Sequence, residues 1–409
     1  MEYTISKGTM TLGVVLLSDD FAEKDSEQVA RVLDEGQSVN VDVCILLTSD
    51  TVPDFISNMS RGKFTEKVIE ISDQDFISGF HAAKDKLDEV MCPEIKVICK
   101  RKQEITFLCQ VMFTPAVQWS IMSIGEDKSS KSETLVSITQ KVKDYLRKLK
   151  ASDEVKILRS TLIPDDLFYH GFSTRTGGLS SIPGMKSLNV LYTTAKRDPL
   201  VLIEENRRRL ASKAGFDVET LYIAKAVHGN TVYEIGTDPP DGGYDGVISN
   251  KSNVTCAAPG ADCVIILFAD PIQHVFAAIH SGWKGTVAKI PSVTVRSMHG
   301  KFGSKLEDIV VVMGPSICKN CFEFGKDDIQ QFEDINPQCV LHKGLDGNPT
   351  IDLKLAIRTL LEEEGVLPEH IDDTTTCPCT VENPNQLYSY RRDGRPFGNQ
   401  IGFIGLRSN

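Results

Sequence analysis

The chain has 409 residues, 41% hydrophobic and 25% charged, with a formal net charge of −11 and a pI near 5.3. That is the composition of a soluble globular protein too long for one ordinary core, and its acidity argues against a general nucleic-acid or anionic-membrane surface. No apolar run approaches the ~20 residues of a membrane span, Met1–Leu12 lacks the apolar core of a signal peptide, and the eleven scattered cysteines are expected as thiols in a reducing, cytoplasmic setting.

Residues 1–125 read as a separate α/β domain. Strands are predicted over Leu12–Leu17, Val41–Thr48, Lys67–Ile71, Ile95–Cys99 and Ile105–Phe113, and helices over Phe21–Leu33 and Asp75–Val90. The one histidine here, His81, lies in a helical pattern, and no catalytic constellation is visible. The domain therefore reads as regulatory or as the binder of a protein partner. Residues 126–156 open with a charged linker, DKSSKSE, and run into an amphipathic helix over Thr134–Lys150. Its apolar residues Leu135, Ile138, Val142, Tyr145 and Leu149 keep helical spacing.

Residues 157–409 form the second predicted domain. His170–Ser180 is rich in Gly, Ser and Thr around Arg175, and such a loop exposes backbone N–H groups to a ligand. Asn189 follows within Met185–Val190. Asp198 and Pro199 open a helix that Gly215 stops. A strand-like run, Leu221–Val227, leads into His228 and a Gly229–Asn230 turn. Tyr244–Ser249 and Val254–Ala257 precede two continuous apolar runs, Val264–Phe268 and Val275–Ile279, which read as strands buried on both faces. Asp270–Pro271 is a turn signal between them. As an antiparallel pair, these strands would bring Cys263 and His280 to one end of the sheet. SGWKG then begins a helix to about His299, in which Pro291 predicts a kink or a late start. Asp308–Met313 reads as another buried strand, Asp352 as the cap of a helix over Leu353–Glu364, and Leu387–Arg391 and Gln400–Leu406 as strand or loop.

A thiol and an imidazole fixed on strand ends ligate a metal or act as nucleophile and base. His228 is the best third member of the group. Asp262 is the nearest carboxylate in sequence for moving protons, a role that competes with a plain turn aspartate. Cys318-x-x-Cys321 and Cys377-x-Cys379 offer the residues of a four-cysteine zinc site, although the second spacing is tighter than the usual roughly two to four intervening residues.

HGFSTRTGG (His170–Gly178), VHGN, GADC, HSGWKG, MGPSICKNCFEFG (Met313–Gly325) and YSYRRDG (Tyr388–Gly394) occur in that order. Together they resemble the laccase-domain family, long described as multicopper polyphenol oxidases and understood as zinc-dependent purine nucleoside enzymes. The resemblance covers about Leu158 to Leu406, with GADC and SGWKG standing where the family more often has TADC and GWRG. It implies an α/β (α+β) fold: a mixed-sheet catalytic domain of laccase-domain, cysteine-hydrolase-like type beside the separate N-terminal α/β domain. It implies one Zn2+ per catalytic domain on His228, Cys263 and His280. The implied ligands are purine nucleosides and phosphate, with no nucleic acid and no membrane span, and the resemblance admits a homodimer. The implied chemistry is phosphorolysis of adenosine, inosine, guanosine and methylthioadenosine, with adenosine deamination as a second activity. In that reading Asp262, Arg175 and Cys263 are catalytic, and Arg175, Asn189, Ser281, Lys284 and Arg391 bind substrate or phosphate. If their segment is a strand, Arg391 and Arg392 face opposite ways and at most one reaches the site.

Two other readings compete. Two histidines and a cysteine also suit a copper centre. Laccase chemistry needs His-x-His pairs as well, and none of the eight histidines forms one. A cysteine hydrolase would use Cys263 as nucleophile and His280 as base, with neither a metal nor His228.

Overall fold

The computed structural model describes residues 12–17, 21, 25–35, 41–48, 68–73, 75–130, 132–341, 347–378 and 385–407. Two compact units emerge. One takes Met1–Lys150 with Leu179–Pro183 and Tyr192–Glu205; the other takes Ala151–Gly178, Gly184–Leu191 and Asn206–Asn409.

The first unit is built on β1 (Leu12–Leu17), α1 (Ser26–Glu35), β2 (Val41–Thr48), β3 (Val68–Ser72), α2 (Phe76–Glu89), β4 (Glu94–Cys99), α3 (Lys102–Met112), β5 (Gln118–Ser123) and α4 (Leu135–Lys148). Its five strands form one parallel sheet in the order β3-β2-β1-β4-β5. Ile105–Phe113, expected as a strand, lies in helix α3 up to Met112. Its buried residues Ile105, Leu108, Cys109 and Met112 recur at i, i+3, i+4 and i+7, the stripe of an amphipathic helix. The N–H groups that open α3 are satisfied from a distant loop: Lys102 donates to Asp127, and Gln103 and Glu104 donate to the Ser129 hydroxyl. Helix α4 starts on a capping box between Thr134 and Ser137. Its Ile138, Val142 and Leu146 join Phe80, Leu87 and Val97 in the core of this unit.

Helix α5 (Leu200–Ala214) follows Pro199 and ends at Gly215, whose φ of 83° is the left-handed stop expected of glycine. The second unit's strands are β6 (Ile157–Leu158), β7 (Phe168–Ser173), β8 (Leu221–Ile223), β9 (Val232–Glu234), β10 (Gly246–Ser249), β11 (Thr255–Gly260), β12 (Val264–Asp270), β13 (Val275–Ser281) and β14 (Val310–Met313), followed by the short β15 (Val340–Leu341), β16 (Thr350–Ile351) and β17 (Ile371–Asp372), and by β18 (Gln400–Leu406). They make a mixed six-stranded sheet, β17-β14-β12-β13-β10-β9, a mixed five-stranded sheet, β6-β7-β18-β11-β8, and the small pair β15-β16.

Strands β12 and β13 are central, antiparallel and buried along their whole length. Val264, Ile266 and Phe268 belong to one core cluster, and Ile265, Leu267 and Ala269 to another. That two-sided burial is why these runs are continuously apolar.

After β13 the chain makes one short helix, α6 (Trp283–Val287), and then α7 (Ile290–Phe302). Lys289, in the left-handed region at φ 61°, separates them. Pro291 lies in the first turn of α7, where its missing N–H costs nothing, so the late start is realised rather than a kink. The remaining helices are α8 (Gln330–Glu333), α9 (Leu353–Glu363) and α10 (Tyr390–Asp393). Asp352 caps α9 through the Leu355 N–H at 3.1 Å, as expected. Leu387–Arg391 is not a strand: the Ser389 hydroxyl caps the single turn of α10. Arg391 and Arg392 are therefore consecutive helical positions rather than opposite faces of a strand. Among the described residues, no helix is long and apolar enough to cross a membrane.

Candidate metal centre

The register of β12 against β13 pairs Val264 with Ser281 and Ile265 with His280. Cys263 and His280 thus meet at one end of the pair, as the apolar runs predict. His228 reaches the same point from the loop after β8. The ligand atoms of His228, Cys263 and His280 lie within 4.8 Å of one another. The two imidazole rings stand edge to face with centroids 4.8 Å apart. His280 is buried, Cys263 half-buried and His228 exposed, so the group opens to solvent on the His228 side.

Asp245, just before β10, organises this cluster, and no local feature of the sequence singles it out. Its Oδ1 is 2.8 Å from Nδ1 of His280, which leaves Nε2 for the cluster. The same carboxylate accepts the backbone N–H groups of Val227, His228 and Gly229 at 3.1, 2.9 and 2.8 Å. One buried side chain therefore orients the strand-borne histidine and also folds the loop that delivers the other. That loop needs the support: His228 has φ 62°, and Asp262, beside Cys263, has φ 93°. Both lie where non-glycine residues are strained and persist only if neighbours hold them.

The electrostatics follow from this geometry. Burial works against the Asp245 carboxylate, but hydrogen bonds from His280, Gly229 and Val227 outweigh it and hold its carboxyl below the usual range. Burial also works against a charged His280, but its bonds to Asp245 and Cys263 lift it to about 9. The buried Cys263 sulfur would be pushed up, yet the two histidines bring it down to about 7. Each group thus favours the charged form of the other, the thiolate drawing His280 up and the imidazoles drawing Cys263 down.

Gly282 supplies the space. A Cβ there would stand 3.0 Å from Cys263 Sγ, 3.2 Å from His228 Cδ2 and 3.5 Å from His280 Cε1. Its φ of −73° suits any residue, so the requirement is room and not conformation. A thiolate, two imidazoles, a carboxylate behind one of them and a cradle that a methyl group would fill together fit a metal ion.

The other expected site residues fall into different places. Asp262 is buried; its Oδ2 accepts the Arg391 N–H at 2.6 Å, and its Oδ1 has no partner among the described residues. Burial raises its carboxyl pKa, with the Arg391 N–H and the Ser389 hydroxyl partly opposing. Arg391 thus touches Asp262 through its backbone, while its guanidinium reaches the Cys321 carbonyl at 3.1 Å. Arg392 is committed to the carbonyls of Pro378 and Leu387 and to Asp393. Arg175 bonds the Lys186 carbonyl at 2.8 Å, lies 3.6 Å from Asp393 and covers the Tyr388 ring. Asn189 is fully buried and accepts the Asn399 N–H. The buried Ser281 hydroxyl pairs with Thr286 at 2.9 Å. Lys284 is exposed, with its ammonium over the Trp283 ring. Asp245 contacts His280 and the His228 loop, Asp262 and Ser281 are chain neighbours of Cys263 and His280, and Lys284 follows His280 by four residues. Arg175 and Asn189 belong to the packing around Tyr388 and Asn399.

Fold and site define a mixed α/β domain with an open His–Cys–His cluster whose donor atoms fit a metal ion. The chain belongs to the multi-copper polyphenol oxidoreductase laccase family, whose profile matches residues 169–407. It is 38% identical over 347 residues to the purine nucleoside phosphorylase LACC1 of Mus musculus, covering 81% of this chain and 80% of that protein. It is 30% identical over 249 residues to the purine nucleoside phosphorylase YlmD of Bacillus subtilis, covering 58% of this chain and 88% of that one. An adenosine deaminase, RL5, from an unknown prokaryotic organism is 27% identical over 219 residues, or 50% of this chain and 82% of its own. Among solved structures, YlmD from Geobacillus stearothermophilus superposes with a TM-score of 0.56 at 27% identity, covering 63% of this chain and all of that one.

Proposed function

We propose that the chain is a zinc-dependent purine nucleoside phosphorylase. It would convert adenosine, inosine, guanosine and methylthioadenosine with phosphate to the free base and ribose-1-phosphate or methylthioribose-1-phosphate, and deaminate adenosine as a second reaction of purine metabolism. The observation that carries this reading is the convergence of His228, Cys263 and His280, with Asp245 behind His280 and open space at Gly282. The relatives named purine nucleoside phosphorylase and adenosine deaminase supply the substrate class.

His228, Cys263 and His280 would hold the zinc. Bound there, Zn2+ supplies Lewis acidity and lowers the pKa of a coordinated water from 15.7 to about 7. In phosphorolysis a phosphate oxygen bonds to C1′ of the ribose while the C1′–N9 bond breaks. The electron pair leaves with the base, which takes up a proton. Asp262 suits that proton transfer: its carboxyl is buried, its pKa is raised and one oxygen is without a partner. Lys284, exposed two residues beyond Gly282, and Arg391, tied to Asp262, are the cations assigned to phosphate. Arg175, Asn189 and Ser281 would shape the pocket, with their polar groups bonded within the fold. The first unit carries none of these groups and is assigned to regulation or to binding a protein partner.

One observation favours a second reading. Asp245, His280 and Cys263 form an acid–base–thiolate chain of the kind cysteine hydrolases use. The test is release of hypoxanthine from inosine, with and without phosphate, alongside metal analysis. Phosphate-dependent release by a zinc-loaded protein supports the proposal. Copper with oxygen uptake, or phosphate-independent activity abolished by thiol alkylation in a metal-free protein, overturns it.

A further inference from the structure

We infer that the second unit carries another metal site, made of sulfur alone, on Cys318, Cys321 and Cys377. Their three Sγ atoms lie within 4.8 Å of one another, and none is in a disulfide. All three are half-buried, which shields a bound ion without sealing it off. Cys379, the fourth cysteine of the sequence pattern, lies outside the described residues.

The local backbone is shaped around the sulfurs. Cys318–Cys321 closes a tight turn in which the N–H groups of Cys321 and Phe322 bond the Cys318 carbonyl at 2.9 and 3.0 Å. The Cys318 N–H points at Cys377 Sγ at 3.2 Å. The Cys318 sulfur in turn accepts the N–H groups of Asn320 and Cys321. N–H groups aimed at sulfur offset the charge that three clustered thiolates would otherwise place together. The Lys354 ammonium, fixed by the carbonyls of Asp373 and Thr375 and by the Thr375 hydroxyl, adds a cation near Cys377. Cys318 also lines a cavity of about 340 Å³ together with Lys354, Asp373 and Thr375. Soft thiolates without imidazole or carboxylate select a thiophilic ion, and redox-inert Zn2+ is the one that a stable structural cluster takes.

The position of the cluster indicates its use. The Ile317 N–H bonds the Asp262 carbonyl at 2.9 Å, Arg391 bonds the Cys321 carbonyl, and Arg392 bonds the Pro378 carbonyl. An ion on the three sulfurs would tie together the segments that hold Asp262 and Arg391 in place. It would act as a staple, separate from the His–Cys–His centre.

Metal analysis of the full-length protein, expressed in zinc-supplied medium and purified under reducing conditions, tests this. The wild type should hold about two zinc ions per chain, Cys321→Ser about one, His228→Ala about one, and the double variant none. Cobalt substitution gives a second reading that does not depend on a variant folding: the sulfur-to-cobalt absorption of the wild type should exceed what one thiolate supplies, and Cys321→Ser should lose most of it. Equal zinc in wild type and Cys321→Ser overturns the inference, as does a Cys318–Cys321 disulfide in the reduced preparation or copper in place of zinc at these sulfurs. Retention of full metal content by His228→Ala alone would sink the His–Cys–His assignment and leave this one standing.

Discussion

The two sides of the His–Cys–His centre are built on different principles. Cys263 and His280 stand at adjacent ends of β12 and β13, where the register of a buried strand pair places them. His228 and Asp262 arrive on loops at positive φ and are held by individual hydrogen bonds. A strand pair sets position through many interchangeable apolar contacts. A strained loop does so through a few bonds, so single changes should separate the two sides.

The largest effect is expected from removing a ligand. Cys263→Ala or His280→Ala removes a ligand that no loop movement can replace, and both bound metal at this centre and nucleoside cleavage should fall to background while the melting curve survives. Metal retained by either variant would break the assignment of the strand pair. Asp245→Asn comes next. Its carboxylate takes four N–H groups, Val227, His228, Gly229 and His280, and an amide turns its NH2 toward some of those donors. Loss of such a supporting carboxylate typically costs about 10–100-fold in metal affinity. Unchanged affinity, measured by chelator competition, would show that Asp245 does not unite the two sides. Gly282→Ala should do less, because only Cys263 and His228 have to yield to the new methyl group, by a few tenths of an ångström. It should weaken metal binding with no loss of thermal stability in the metal-free protein.

A test that needs no variant is pH dependence. With Cys263 near 7 and His280 near 9, the Cys263–His280 pair between those values carries one titratable proton, on His280. Binding must expel it, so metal affinity should rise about tenfold per pH unit from about 7 to 9, flatten above, and fall more steeply below 7, where the thiol proton must leave too. A flat profile across pH 7–9 would remove the ion-paired description of the free site.

The same contrast explains what the sequence discloses. Val264–Phe268 and Val275–Ile279 are apolar at every position because both faces are buried, and that signal also places Cys263 and His280 at one end. The Asp352 cap, the Gly215 stop and the start of α7 at Pro291 are legible because each depends on one residue's chemistry. Ile105–Phe113 misleads because its β-branched and aromatic content masks the helical stripe of Ile105, Leu108, Cys109 and Met112. Leu387–Arg391 reads as strand or loop because the Ser389 cap governs a single turn, too short for any periodicity to register. Asp245 leaves no trace: it stands 35 residues from His280 and acts through tertiary hydrogen bonds alone.

The central claim is that His228, the loop ligand, completes a catalytic metal centre. It is tested most directly by measuring zinc content and phosphate-dependent inosine cleavage on His228→Ala, with melting temperature as the control for folding. The account predicts that this variant loses one equivalent of zinc and its activity together while remaining folded. A folded His228→Ala protein that keeps its full zinc content and cleaves inosine at the wild-type rate would contradict it.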